Sequence, residues 1–225
     1  MRRGPAARDV QRMFGRIAGR YDRLNRLISF GMDSGWRREA ARLAGPARMR
    51  VLDLGAGTGD LSRALLDAGA ARVVAADLTP AMLRRAPSGP RLVPVLADAL
   101  RLPFRDASFD RVASAFLLRN VEDVGAALAE TARVLRPGGI AVCLEMTPPP
   151  RTLFGAIFRL YFRRVMPLVA GLLSDRGAYR YLPASVEGFP DADALAAIMR
   201  DAGLRDVRYR RLAGGTVALH RGICA

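Results

Sequence analysis

Lysine is absent from this 225-residue chain, and histidine occurs once, as His220. The missing lysine excludes a phosphate-binding P-loop and any enzyme that forms a Schiff base through a lysine amine. A single histidine argues against a histidine-rich metal site, and its place near the end of the sequence argues against a serine–histidine nucleophile. The two cysteines, Cys143 and Cys224, form neither a CxxC pair nor a disulfide framework, which is typical of a reducing compartment.

Long hydrophobic runs are also missing. The longest apolar stretch, Val165–Leu173, is well short of the roughly 18 residues that span a bilayer. The basic N-terminus lacks the apolar core that a signal peptide carries. These absences predict a cytoplasmic protein, and a hydrophobic content of 51% predicts one packed domain over residues 1–225.

Positive charge is abundant but unevenly distributed. The net charge is +15, and apart from His220 every basic side chain is an arginine. Residues 1–50 hold 13 arginines and 4 acids, residues 51–150 hold 11 of each, and residues 151–211 hold 11 arginines and 6 acids. Such basic flanks suit nucleic acid, an anionic membrane surface or an anionic substrate, and the alternative is a solvated arginine-rich surface.

Strands that alternate with helices dominate the neutral middle of the chain. Parallel neighbours need crossover connections, so this alternation predicts an α/β fold with a largely parallel sheet. The predicted strands are Arg50–Leu54, Arg72–Asp77, Leu92–Ala97, Asp110–Phe116 and Ile140–Met146, and the predicted helices include Asp60–Ala68, Pro80–Arg85 and Val121–Leu135.

Helical patterns flank this middle part. The first 45 residues carry apolar positions at helical spacing, broken at Gly31, with Asp33 or Ser34 as the candidate cap of the next helix. Near the end, a helix is followed by two strands around the hairpin signal Gly214-Gly215, so the sheet is expected to finish with one antiparallel strand. These elements are predicted at Asp191–Ala202, Asp206–Leu212 and Thr216–Arg221.

Three glycines in a GxGxG pattern follow the first predicted strand, at Gly55, Gly57 and Gly59. Open parallel sheets bind ligands at the carboxyl ends of their strands, where a glycine lets the backbone approach the ligand closely. Asp53 and Asp60 flank the loop, and their charge disfavours the pyrophosphate that a GxGxxG loop receives. The loop therefore suits a ligand with a cationic centre, such as S-adenosylmethionine.

Acids also follow the next two predicted strands. Asp77 ends the second strand, where a carboxylate accepts both hydroxyls of a ribose. Asp98 and Ala99 follow the third strand, where a short acidic side chain can accept from an adenine amino group. The three strand ends together predict an adenosyl ligand, with S-adenosylmethionine preferred and NAD(H) as the main competitor.

Several longer strings carry a resemblance to a known family. They include Phe14–Ala18, Tyr21-Asp22 and Trp36-Arg37 near the start, and most diagnostically Leu118–Val121, Tyr179–Leu182 with Ser185, and Ala218–Gly222. On these motifs the chain resembles, nearly from end to end, the ubiquinone/menaquinone biosynthesis C-methyltransferase family (UbiE/MenG) among the class I methyltransferases.

The resemblance implies a seven-stranded, mostly parallel Rossmann-like sheet with helices on both faces and a C-terminal antiparallel hairpin. It also implies methyl transfer from S-adenosylmethionine to a ring carbon of a polyprenylated quinol. On this basis the chain divides into an N-terminal helical lid (1–48), a cofactor-binding core (49–147), a helical acceptor or lid insertion (151–190), and a closing helix and hairpin (191–225).

On the family's pattern, Thr58, Asp77, Asp98 and Ala99 contact the cofactor. Together with the glycine loop and the strand ends, the expected cofactor-binding residues are Asp53, Gly55, Gly57, Thr58, Gly59, Asp77, Leu78, Asp98, Ala99 and Ala115. The family usually has serine where this chain has Ala115, and glycine where it has Leu117. Because Leu117 is expected near the methyl path, a small-molecule acceptor of specialised metabolism stays open as the alternative substrate.

Carbon methylation needs an electron-rich ring, and a quinol becomes one when a ring hydroxyl loses its proton. Arginine stays protonated, so our hypothesis gives Arg119 electrostatic stabilisation of the phenolate, and Asn120 orientation of the ring. Substrate contacts are expected from Tyr21, Leu117, Tyr179 and Tyr181, although the tyrosines equally suit aromatic packing between helices.

The segment Arg151–Leu173 interleaves apolar residues with arginines, the composition of a helix that lies on an anionic membrane. A lid helix or a homodimer contact is the alternative interpretation. Nucleic acid is not an expected partner, because base-amino methyltransferases carry an (Asp/Asn)-Pro-Pro-aromatic string after strand four. Here Thr147–Pro150 follows strand five and lacks both the amide or acid and the aromatic residue.

Overall fold

Seven strands and the helices that cover them are defined by a computed structural model, which describes residues 5–150, 152–160, 164 and 184–225. The strands are β1 (Arg50–Leu54), β2 (Arg72–Asp77), β3 (Leu92–Leu96), β4 (Phe109–Ala115), β5 (Leu135–Met146), β6 (Leu204–Leu212) and β7 (Val217–Cys224). The helices are α1 (Ala7–Ile17), α2 (Tyr21–Ile28), α3 (Met32–Ala44), α4 (Asp60–Asp67), α5 (Pro80–Leu83), α6 (Val124–Val134), α7 (Leu153–Leu160) and α8 (Ala192–Asp201).

The strands form one sheet in the order β3-β2-β1-β4-β5-β7-β6. Strands β1 to β5 are parallel, and β7 is antiparallel to both of its neighbours. The predicted α/β class and the C-terminal hairpin are therefore confirmed. The antiparallel strand lies one place in from the edge, because β6 forms the edge and β7 returns between β6 and β5.

Two hydrophobic layers bury the sheet from opposite sides. In β1, Leu52 belongs to a buried cluster that includes side chains of α6 and α8, and Val51 belongs to a second buried cluster that includes side chains of α3 and α4. Both residues are fully buried, as expected for a parallel strand that is covered on both faces. The predicted helices on both faces are thus confirmed, and the carboxyl ends of the parallel strands share one edge of the sheet.

Element boundaries differ from the predictions in two informative places. Helix α6 begins three residues later than predicted, since Leu118–Asn120 forms a short 3₁₀ turn and the Asp123 carboxylate caps α6 by accepting from Ala126 N at 3.0 Å. Strand β5 begins five residues earlier than predicted, because Leu135 already pairs with Phe109 before the register shifts.

The predicted insertion is described only in part. Its described pieces are α7 and a helical turn at 184–187, so Tyr179 and Tyr181 lie outside the described residues. Most of the predicted membrane segment beyond Leu160 lies outside them as well. Within the described ranges, no helix is long and apolar enough to cross a membrane.

Candidate active site

A cavity lies at the carboxyl ends of β1, β2, β3 and β4, where the parallel sheet is expected to bind a ligand. Its walls come from the loops that follow these strands and from the N-terminal helices α1 and α2. The residues that line it are Ala7, Val10, Phe14, Tyr21, Leu54, Gly55, Gly57, Ala76, Asp77, Leu78, Thr79, Met82, Ala97, Asp98, Ala99, Leu100, Ala115, Phe116, Leu117, Asn120, Val121 and Glu122.

The glycine loop forms one wall of this cavity, and all three of its glycines have positive φ angles. At Gly57 (φ +57°) a Cβ atom would meet nothing within 4 Å, so the missing side chain leaves open space at the cavity wall. At Gly55 (φ +73°) a Cβ would lie 2.7 Å from Leu117 Cδ1, because Leu117 packs directly on the loop. The glycines are therefore required by backbone conformation and by close approach.

Asp77 joins the glycine loop to the end of β2. Its carboxylate accepts the N–H of Gly57 at 2.8 Å and the N–H of Thr79 at 2.7 Å. Burial raises the pKa of Asp77 above its ordinary value, and the two backbone hydrogen bonds oppose that rise. Each carboxylate oxygen keeps a further acceptor position, so the side chain can still receive the hydroxyls of a ribose.

Asp98 and Ala99 line the cavity after β3, together with Leu78 after β2 and Ala115 at the end of β4. The Asp98 carboxylate accepts the N–H of Leu100 at 2.9 Å, which fixes the side chain at the turn. These four predicted cofactor residues thus reach one cavity with Gly55, Gly57 and Asp77. The arrangement fits S-adenosylmethionine, since open space, a carboxylate for a ribose and an acceptor for an adenine amino group meet in one place.

Asp53, Thr58 and Gly59 are not among the residues that line the cavity. Asp53 is fully buried and accepts the Ser62 hydroxyl hydrogen bond at 2.6 Å. Thr58 donates its hydroxyl to Asp22 of α2 at 2.6 Å, and Gly59 caps the start of α4. The structure gives these three residues a role in shaping the loop, and direct cofactor contact stays a prediction for them.

Burial changes the pKa of Asp53 strongly. Desolvation raises its pKa to about 7, although the Ser62 hydrogen bond and the Arg37 charge lower it. Its Oδ1 atom has no hydrogen-bond partner among the described residues. The folded protein therefore holds a proton on Asp53 at a pH where the unfolded chain has released it.

The resulting pH dependence is testable with Asp53→Asn. Because the folded pKa is raised from 3.8 to about 7, Asp53 contributes stability fully below pH 3.8 and loses it as the pH rises to about 7. Relative to the variant, the wild-type free energy of unfolding should fall by on the order of 4 kcal/mol across this window. Urea unfolding of both proteins at several pH values measures the difference.

His220 gives the free energy of unfolding the opposite pH dependence, and it does so in both wild type and Asp53→Asn. Its Nε2 lies 2.9 Å from the carbonyl oxygen of Ala192, and burial lowers its pKa. The folded state therefore loses stability as the pH falls below the ordinary histidine value, equally with or without Asp53. A difference between the two proteins that stays constant with pH would contradict the role assigned to Asp53.

The end of β4 lies beside the glycine loop, since β1 and β4 are paired neighbours and Leu117 packs on Gly55. Phe116 has a left-handed backbone (φ +61°), and Asn120 donates its side-chain amide to the Phe116 carbonyl oxygen at 2.9 Å. Phe116, Leu117 and Asn120 all line the cavity. The structure thus brings the predicted residues Leu117 and Asn120 together with Tyr21 of α2.

Arg119 takes a different position from its neighbours, because it is not among the residues that line the cavity. Its Nη1 lies 2.5 Å from Oε1 of Glu145 in β5, and both side chains are almost fully buried. Glu145 also accepts the N–H of Met146 at 2.9 Å. The Arg119 guanidinium carbon lies 5.6 Å from the centre of the Phe116 ring, so one aromatic ring adjoins both the cavity and this ion pair.

A second arginine, which was not among the predicted site residues, lies on the same ring. The Arg37 guanidinium carbon lies 5.1 Å from the centre of the Phe116 ring, and Arg37 forms a buried ion pair with Asp33 at 2.5 Å. The i,i+4 spacing of Asp33 and Arg37 was a usable helical signal. Nothing comparable in the sequence links Arg119 to Glu145, since Arg119 lies in the 3₁₀ turn after β4 and Glu145 lies far along the chain in β5.

The N-terminal helices are tied to three different loops around the cavity. Gln11 donates its amide to the Leu78 carbonyl oxygen at 2.9 Å, and Ala7 N donates to the Glu122 carboxylate at 2.7 Å. The Asp22–Thr58 hydrogen bond is the third link. This arrangement supports the predicted lid, and it adds Glu122 as a cavity carboxylate that sequence reasoning missed.

The strand order, the glycine loop and the acids that follow β2 and β3 define an S-adenosylmethionine-dependent methyltransferase with a Rossmann-like sheet. The chain belongs to the ubiE/COQ5 methyltransferase family, whose sequence model matches residues 3–224.

Sequence relatives agree with this family. A demethylmenaquinone methyltransferase of Thermus thermophilus is 52% identical, covering 93% of this chain and 99% of the relative. The protein with the same name from Deinococcus radiodurans is 48% identical, over 95% of this chain and 91% of the relative. A ubiquinone/menaquinone biosynthesis C-methyltransferase of Syntrophotalea carbinolica is 43% identical, over 95% of this chain and 93% of the relative.

Solved structures of low sequence identity share the fold. A possible histamine N-methyltransferase of Thermotoga maritima superposes with a TM-score of 0.69 at 19% identity, covering 96% of this chain and all of that one. The [4+2]-cyclase SpnF superposes with a TM-score of 0.68 at 20% identity, over 96% of this chain and 79% of that one. Since a cyclase shares this fold with methyltransferases, fold alone does not decide the reaction.

Proposed function

We propose that this methyltransferase transfers the methyl group of S-adenosylmethionine to a ring carbon of a polyprenylated quinol. The observation that carries the proposal is the mixed lining of the cavity. Gly57 and Asp77 contribute open backbone and a carboxylate to this lining, and Phe116 and Leu117 contribute an aromatic and an aliphatic side chain. A cationic donor suits the first pair of residues and an apolar ring suits the second.

Demethylmenaquinol is the preferred acceptor within this proposal, with the benzoquinol of the ubiquinol pathway next. The names of the relatives from Thermus and Deinococcus support that order. We also propose that the enzyme works from the cytoplasm and contacts an anionic membrane peripherally, because a polyprenyl tail partitions into a bilayer. Leu160 of α7 is 61% exposed, and a homodimer contact is the alternative proposal for that helix.

Different residues of the chain are proposed to position the acceptor ring and to stabilise its developing charge. Asn120, Tyr21 and Leu117 position the ring, and Tyr179 and Tyr181 are proposed further contacts from outside the described residues. Arg119 is proposed to stabilise the negative charge that develops on the ring oxygen as its proton leaves. Glu145 is proposed to hold the Arg119 guanidinium against the Phe116 ring, because the two groups form one buried ion pair.

The second candidate function is methylation of a small-molecule acceptor other than a polyprenylated quinol. The contact between Leu117 and Gly55 favours it. A leucine side chain that packs on the glycine loop takes up room near the donor. Such a restriction selects among acceptor rings by shape, so a ring other than a prenylated quinol stays a candidate.

A side-by-side acceptor assay tests the proposal. Demethylmenaquinol, a polyprenyl benzoquinol and a tail-less quinol are each offered with labelled S-adenosylmethionine, and mass spectrometry locates the new methyl group. Carbon methylation of demethylmenaquinol at the highest kcat/KM is the expected result. If none of the three quinols is methylated while S-adenosylmethionine binds, the quinol proposal is overturned.

A further inference from the structure

Helix α1 contributes one of its faces to the cavity. Ala7, Val10 and Phe14 line the cavity, and their spacing places them on the same side of the helix. The same cavity is lined by Leu78 and Asp98, two of the residues that are expected to hold the donor. Helix α1 therefore adjoins the part of the cavity that suits S-adenosylmethionine.

Helix α1 packs apart from the main core. Met13 and Ile17 are buried in a small cluster with Phe14 and Tyr21, which belong to α1 and α2. Among the described residues, neither of the two layers that bury the sheet includes a side chain of α1. The helix can therefore move relative to the sheet without disrupting either layer, as expected of an element that opens more easily than the core.

The first turn of α1 is capped by a residue from a distant part of the sequence. Its N-cap position is Ala6, whose methyl side chain cannot accept a hydrogen bond. The N–H of Ala7 instead donates to Oε1 of Glu122 at 2.7 Å, across 115 residues of sequence. A carboxylate at this place satisfies an N–H that has no partner within the helix, and it is favoured by the positive end of the helix dipole. Glu122 thus takes the place of a capping residue for α1.

Both attachments of α1 to the sheet side of the molecule are at the cavity. Glu122 lines the cavity together with Asn120 and Val121, after β4. Gln11 provides the second attachment, because its amide donates at 2.9 Å to the carbonyl oxygen of Leu78, which follows β2. Helix α1 is thus hydrogen-bonded to one segment with a predicted donor residue and to another with a predicted acceptor residue.

We propose that Glu122 is a positioning residue, which holds α1 over the bound donor and so sets the rates of donor entry and product release. When S-adenosylhomocysteine leaves and S-adenosylmethionine replaces it, α1 moves away from the segment after β4, and the hydrogen bond between Ala7 and Glu122 breaks. The inference follows from the donor that this family uses, and it does not depend on which acceptor is methylated.

Glu122→Ala tests this role. The hydrogen bond joins two parts of the chain rather than the chain and the donor, so its loss should speed entry and release alike. We expect both rate constants to rise by about fivefold, the usual effect of losing one capping hydrogen bond, while Kd stays within about twofold of wild type. Surface plasmon resonance on the immobilised full chain measures these quantities for S-adenosylmethionine and S-adenosylhomocysteine. No acceptor is present, so failure of the quinol proposal would leave this result unaffected.

Two further variants separate the hydrogen bond from the charge. Glu122→Gln keeps an oxygen that can accept the N–H of Ala7, so its rate constants should stay within about twofold of wild type. Gln11→Ala breaks the other attachment of α1 and should speed entry and release in the same way as Glu122→Ala. A Glu122→Gln protein that exchanges its donor as fast as the alanine variant would contradict the proposed role of the hydrogen bond.

Asp191→Ala is the matched control. Asp191 caps α8 by accepting from Ala194 N at 2.9 Å and is not among the residues that line the cavity, so the same kind of hydrogen bond is lost elsewhere. This variant should have a lower melting temperature and unchanged rate constants. Unchanged rate constants in Glu122→Ala would overturn the proposal. Faster release with an unchanged association rate would overturn it as well, because Glu122 would then contact the donor directly.

Discussion

Asp77→Ala is expected to weaken S-adenosylmethionine binding by about 100-fold or more, because each hydrogen bond to a charged group contributes about 1.5–3 kcal/mol and the proposed ribose contact has two. The alanine also releases the N–H groups of Gly57 and Thr79, which the carboxylate holds at 2.8 and 2.7 Å. Both effects act on the same wall of the cavity. Titration calorimetry with S-adenosylmethionine measures the loss directly.

Asp67→Ala is the matched control for that measurement. Asp67 is the exposed last residue of α4, so the same substitution removes a carboxylate without touching the cavity. Asp77→Asn should fall between wild type and alanine, because its amide oxygen can still accept one hydrogen bond. Unchanged affinity in Asp77→Ala would show that the ribose is held elsewhere.

The glycine loop and its acids could be predicted from the sequence because their signals are local. A strand, three glycines and a carboxylate at the end of the next strand occur in the order that is typical of a ligand site at the carboxyl ends of parallel strands. The structure accordingly brings Gly55, Gly57, Asp77 and Asp98 to one cavity. The class of fold followed from the same alternation of strands and helices.

The surroundings of Arg119 could not be predicted, because they depend on contacts between distant parts of the chain. Glu145 lies 26 residues away on β5, and Arg37 reaches the Phe116 ring from α3. A sequence motif identifies the arginine but does not show where its side chain points. A shift of one residue along the backbone is enough to move a side chain from the cavity to the core. The 3₁₀ turn at Leu118–Asn120 makes that choice here, with Asn120 at the cavity and Arg119 against Glu145.

That buried ion pair decides how the proposed role of Arg119 must be tested. Arg119→Ala alone leaves Glu145, only 1% exposed, without its counter-charge. Removing one partner of a buried pair typically costs about 3–5 kcal/mol of stability. A loss of turnover in this variant would therefore not distinguish unfolding of the protein from loss of a catalytic contribution by Arg119.

Replacing both partners separates the two effects. Arg119→Met with Glu145→Gln removes both charges, and such replacements are often neutral for stability. We expect a melting temperature close to wild type, unchanged S-adenosylmethionine affinity, and a kcat that falls by about 100- to 1000-fold, the usual loss when one stabiliser of a developing anion is removed. Stopped assays with demethylmenaquinol and calorimetry with the donor measure these quantities.

The second buried pair on the same ring supplies the control. Arg37→Met with Asp33→Asn also removes a guanidinium from the Phe116 ring and a carboxylate from the core. If the charge of Arg119 acts on the acceptor, the Arg37 double variant should keep most of its turnover while the Arg119 double variant loses it. Equal losses would mean that both arginines merely support Phe116, and wild-type turnover in the Arg119 double variant would make its ion pair structural.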